Sequence, residues 1–157
     1  MVSLGSFLIS AILSFSLSIT AKNIENSFLQ NNSKRLYSLF SSTSHLNISF
    51  PEPISFSDQL SNQQAYFLFQ QVFSNYSTFE FYSESSIPLY FEKESFIFKA
   101  RWSFRNKKDN NLYVIHIFFY LSNEGFLKSR TSPESSKIKL KNSSEVWKIT
   151  EIRAERF

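Results

Sequence analysis

No cysteine occurs among the 157 residues, which excludes disulfides, thiolate metal sites, a cysteine nucleophile and a lipid-modified cysteine. Glycine is almost as scarce. With 2 Gly in the whole chain, neither a Gly-rich phosphate loop nor a nucleophile elbow has its raw material. Aspartate occurs only at Asp58 and Asp109 and histidine only at His45 and His116, without companions at ligand spacing, so no metal site and no cofactor is expected. Only 4 Pro are present, which argues against a disordered or loop-rich scaffold.

Aromatic residues are abundant instead: they make up 18% of the chain, with 19 Phe, so the core must be built largely of rings. A chain of this length is one domain and buries roughly two-thirds of the surface it exposes when unfolded. Its clearest local pattern is FIFKARWSFR, residues 96–105. Phe96, Phe98, Ala100, Trp102 and Phe104 alternate with Ile97, Lys99, Arg101, Ser103 and Arg105, a β-strand with one buried aromatic face and one basic face.

Charge is unevenly placed. Residues 22–95 carry 4 Lys/Arg against 7 Asp/Glu, a balance of −3, and residues 96–157 carry 13 against 6, a balance of +7. The basic clusters are Arg105, Lys107 and Lys108 in one turn, and Lys128, Arg130, Lys137, Lys139 and Lys141 in a Ser-rich stretch. They read as solvated loops rather than as a nucleic-acid footprint.

Residues 1–20 hold no charge and contain FLISAILSFSLSI, an apolar run of signal-peptide length followed by Ala21 and Lys22. The expected organisation is a leader over residues 1–21 and a mature domain over 22–157, exported to the periplasm or secreted. An uncleaved membrane anchor fits less well, because Ser10, Ser14, Ser16 and Ser18 put polar groups where hydrocarbon would surround them.

Two short helices follow, the first carrying Ile24 and Phe28, the second capped by Ser33 and burying Leu36, Leu39 and Phe40. Leu46, Ile48 and Phe50 alternate in a short strand that Pro51 and Pro53 end. Ser61 and Gln64 form a capping box, and Ala65, Leu68, Phe69, Val72, Phe73 and Tyr76 then mark one helical stripe. Asp58 falls in the loop before that helix.

From Thr78 the period becomes two. Strands are expected at Phe79–Phe81, Phe96–Arg105, Tyr113–Leu121 and Val146–Arg156, joined as an antiparallel meander with NKKDNN, residues 106–111, as a hairpin loop. Residues 126–144 form a Ser/Lys-rich insertion. In the last strand Trp147 and Ile149 have one parity, Ile152 and Ala154 the other, and a β-bulge near Thr150 or Glu151 restores the phase.

ENSFLQNNSKRLYSLF as the helical opening, LSNQQAYFLFQQVFSNYS as the long helix and VWKITEIRAERF as the closing strand together resemble the nuclear transport factor 2-like (cystatin-like α+β) superfamily. Within it the chain is similar to a family of small exported bacterial proteins of uncharacterised role. The resemblance implies an α+β fold, N-terminal helices and one long helix packed on a curved antiparallel sheet of about four to five strands, enclosing a conical cavity. On that fold Leu68, Val72, Phe98, Trp102 and Trp147 are the candidates to line the cavity.

Fold alone does not decide function, since the superfamily holds isomerases and dehydratases beside binding and assembly modules. Cavity enzymes need an acid/base group where water is excluded. His116 is the one weak candidate; it shares a face with Val114, Phe118 and Tyr120 and is a base only if that face looks inward. Arg101 and Arg105, with Lys99, are better matched to cross-strand partners such as Glu80 or Glu84 than to an anion.

The reading that follows is a non-catalytic exported module that holds an apolar small molecule or docks a protein. Its competitors are a small lyase or isomerase using His116 or a cavity glutamate, and a structural homodimer without ligand, paired through the sheet face. Neither nucleic acid nor, after leader removal, a membrane is an expected partner. Expression in a host with a general export pathway should yield a mature chain whose first residue by N-terminal sequencing is Lys22.

Overall fold

The computed structural model describes residues 4–84, 91–92, 95–124 and 146–157, so the expected insertion at 126–144 lies outside the described residues. Helix α1 (Leu4–Leu29) runs unbroken through the expected cleavage point and buries Leu17, Ile24 and Phe28. Among the described residues no helix is long and apolar enough to cross a membrane. Asn31 ends α1 with a φ of 49°, a left-handed conformation that Asn tolerates.

The Asn31 side chain then acts as a strand-like clamp: its amide donates to the Tyr76 carbonyl (3.3 Å) and its oxygen accepts from the Thr78 N–H (3.2 Å). Helix α2 (Ser33–Tyr37) is capped by Asn32, not by Ser33 as the spacing suggested. Asn32 has the non-helical backbone a cap requires, and its side chain accepts from the Arg35 N–H at 2.9 Å.

Strand β1 (Leu46–Phe50) forms a hairpin with β2 (Phe56–Leu60), a strand absent from the expected set. Ser57, Asp58 and Gln59 are all exposed on this edge, so FSDQL has no alternation to reveal it, and Asp58 sits on a strand rather than in a loop. Helix α3 (Asn62–Asn75) starts with the expected capping box. Ser61 accepts from the Gln64 N–H and Gln64 from the Ser61 N–H. Its apolar stripe buries Ala65, Phe69, Val72 and Phe73, with Leu68 half-buried at the margin.

The remaining strands are β3 (Tyr76–Ser83), β4 (Phe91–Glu92), β5 (Ser95–Asn106), β6 (Leu112–Asn123) and β7 (Trp147–Arg156). The curved sheet follows the order β2-β1-β7-β6-β5-β3, with β4 paired to β5. It therefore has more strands than the four to five expected, and it is mixed rather than wholly antiparallel, because β7 inserts beside β1 in parallel.

The bulge in the last strand is where the parity conflict demanded it. Tyr120 pairs with Glu151 and Leu121 with Ile149, leaving Thr150 as the extra residue and Trp147, Ile149, Ile152 and Ala154 all buried on one face. A second bulge, between Thr78 and Glu80, was not visible in the sequence. It turns Phe79 to solvent while Phe81 enters the core.

At the centre of the core stands Phe28, fully buried. Its ring stacks on Phe81 (4.6 Å) and meets Trp102 (5.0 Å), Phe73 (5.3 Å), Phe119 (5.6 Å) and Phe69 (6.0 Å) edge-on. Such pairings add to the ordinary gain from burying apolar surface. Phe28→Ala should lower the unfolding free energy by about 3–5 kcal/mol in urea titrations. Phe79→Ala, at an exposed position, should cost about 1 kcal/mol at most.

Candidate functional site

The residues expected to line a cavity are mostly core. Val72, Phe98, Trp102 and Trp147 are buried in the aromatic cluster and Leu68 packs against it. The Trp102 indole N–H donates to Thr78 Oγ1 at 3.0 Å, whereas Trp147 Nε1 is buried with no acceptor among the described residues. A cleft of about 660 Å³ lies elsewhere, between the β1–β2 turn, the start of β6 and the end of β7, and none of these five side chains lines it.

His116 lies on the face of the sheet away from the core. On β6, Ile115, Ile117, Phe119 and Leu121 point into the core, so Val114, His116, Phe118 and Tyr120 face outward and are half-buried among the side chains of neighbouring strands. There His116 meets Glu84, from the end of β3, and Lys99, from β5. His116 Nδ1 lies 2.7 Å and Lys99 Nζ 3.1 Å from Glu84 Oε2.

Burial alone would push the Glu84 carboxyl up, but the hydrogen bonds and charges of Lys99 and His116 outweigh it and hold the group below its ordinary value. Glu84 Oε2 is thus shared between His116 Nδ1 and Lys99 Nζ. The expected pairing of Lys99 with an acid on the preceding strand is present.

Arg101 and Arg105 do not share it. Arg101 donates to the Tyr82 hydroxyl (2.9 Å) and stands over the rings of Tyr82 (5.9 Å) and Phe157 (5.0 Å), and Arg105 stands over Phe79 (5.2 Å). Lys99 also covers Phe118 (5.5 Å), and Arg153 covers Tyr120 (5.9 Å). The outer face is thus a lattice of cations on rings. Phe157 ties it to the histidine, its ring stacked on His116 at 4.6 Å.

Sequence reasoning gave no role to Glu124, which is buried at the end of β6. Its carboxylate accepts from Ser41 Oγ (2.5 Å), the Ser42 N–H (3.1 Å), Ser42 Oγ (3.3 Å) and Thr43 Oγ1 (3.3 Å). Burial pushes this carboxyl up, and the donors together pull it below its ordinary value. The four consecutive hydroxyl residues of SSTS were the only signal, and their partner lies some eighty residues away.

Helices on one face of a curved, open, mixed sheet define an α+β cone. No family model matches the chain, and no curated protein matches it by sequence. Among solved structures, a ketosteroid isomerase-like protein from Erwinia carotovora atroseptica matches with a TM-score of 0.62 at 10% identity, over 90% of this chain and 94% of its own.

A nuclear transport factor 2-like protein of unknown function in nutrient uptake from Rhodospirillum rubrum matches at 0.57 and 6% identity, over 90% and 98%. One from Cytophaga hutchinsonii matches at 0.56 and 6%, over 90% and 95%. The fold is the nuclear transport factor 2-like fold.

Because Glu84 is held below its ordinary range when folded, it contributes stability above the carboxylate range, and that contribution is lost as pH falls through the folded value. Wild type should therefore lose its advantage over Glu84→Gln between about pH 5 and pH 3, read from paired urea midpoints.

Proposed function

We propose that the chain is a non-catalytic interaction module that pairs with a second copy of itself through the outer face of the sheet. The observation that carries this reading is the division of the two faces. The concave face is packed with Phe28 and its surrounding rings, and the outer face displays aromatic side chains among charges of both signs.

On that face the cations Lys99, Arg101, Arg105, Lys148 and Arg153 stand among the acids Glu80, Glu84, Glu151 and Glu155, one cation in excess, while the chain as a whole carries +4. Lys148 is taken up by the Ser38 carbonyl. A face that carries both signs can pair with itself about a two-fold axis when cations of one copy come opposite acids of the other. Exposed Phe79 and Tyr82 supply apolar area to bury.

Export remains part of the reading. Ile24 and Phe28 lie beyond Ala21, so removal of the leader leaves the central ring of the core in the mature chain.

A second reading, proton transfer by His116, is favoured by one observation: Glu84 holds Nδ1 as an orienting carboxylate does in an acid/base pair. Against it stands the open sheet face, which does not exclude water. Light scattering on the mature protein at micromolar concentration should give twice the monomer mass, and Tyr82→Glu, at an exposed position, should give the monomer. A monomeric wild type would sink the dimer reading.

A further inference from the structure

We propose that the cleft between the β1–β2 turn and the end of β7 is a binding site for a small aromatic carboxylate, anchored by Arg156. This goes beyond the dimeric reading and does not rest on it. At about 660 Å³ the cleft falls in the size range of small-molecule sites, and it is lined by Glu52, Pro53 and Ser55 of the turn, by Tyr113 and its β6 neighbours, and by Arg156 and Phe157. No helical residue lines it, and Ile115 and Tyr113 join it to the edge of the core.

Its walls are held in place. The Ser55 N–H donates to the Pro51 carbonyl (3.0 Å), and the Tyr76 hydroxyl donates to the Pro53 carbonyl (3.2 Å) from the other side. Burial, with Tyr113 and Asp109 adding to it, keeps the Tyr76 phenol above its ordinary value, so it stays a donor. Ser55 itself has a φ of 49°, a conformation that costs a non-glycine residue energy and that collects at sites where the backbone serves a ligand.

The chemistry selects the ligand. Arg156 Nη2 already holds a carboxylate oxygen, that of Glu52, at 2.8 Å, which shows what group the guanidinium takes there. Both side chains are largely exposed, 66% and 75%, so the pair is a weak one that an incoming carboxylate can displace. The ring of Phe157 and the phenol of Tyr113 offer aromatic surface, and Pro53 an apolar edge. A flat aromatic body with one carboxylate satisfies both halves of the site.

Isothermal titration with 2-naphthoate tests this on the mature chain. Saturable binding at one site per chain is expected, weakened about tenfold or more by Arg156→Ala and equally by replacing the probe with neutral 2-naphthamide. Glu52→Gln should tighten it, because the internal competitor is gone. No saturable binding up to millimolar naphthoate would overturn the proposal, and so would equal affinity for the amide or an unchanged affinity in Arg156→Ala. The amide comparison uses wild-type protein, so the outcome does not depend on any variant folding.

Discussion

The position of one ring, Phe28, constrains the rest of the molecule. It is delivered by the end of a helix into the middle of a curved sheet, where it touches side chains from α3, β3, β5 and β6 at once. A ring can be edge-on to several neighbours and stacked on another only if helix end and sheet keep one relative position. Asn31 supplies that position by replacing a strand partner at the start of β3. Phe28 and the rings around it thereby pack the concave side of the described sheet.

Outside the core, carboxylates organise the polar structure. Glu84 on the outer face and the buried Glu124 are both held below the ordinary carboxylate value, the first by a lysine and a histidine, the second by three neighbouring hydroxyl-bearing residues and a backbone N–H. In each case burial works against ionisation and the donors outweigh it. The basic side of β5 is settled differently. Its arginines stand over rings of β3 and over Phe157, while Arg101 Nε is buried with no hydrogen-bond partner among the described residues.

How much was legible depended on whether the signal was local. The Ser61–Gln64 box spans one helical turn, and the phase break in WKITEIRA shows within eight letters, so both α3 and the bulge at Thr150 could be read directly. Strand β2 could not, since an edge strand paired on one side through its backbone has no need of alternating side chains. The bulge at Phe79 was hidden for a related reason: both parities of that strand carry aromatic residues, and only the partner strand chooses which one enters the core.

The sequence by itself determined the aromatic character of the core, the order of the helices and of the strands other than β2 and β4, and the absence of thiol and phosphate-loop chemistry. These follow from composition and from periods of two and 3.6, which act between near neighbours. The tertiary structure alone decided which face of β6 looks inward, and so placed His116 beside Glu84 and Lys99 instead of inside the cone. It alone inserted β7 beside β1, filled the interior with Phe28, and brought Glu52 to Arg156 across the chain. Those contacts join residues far apart in sequence, where register and packing act and no local pattern records them.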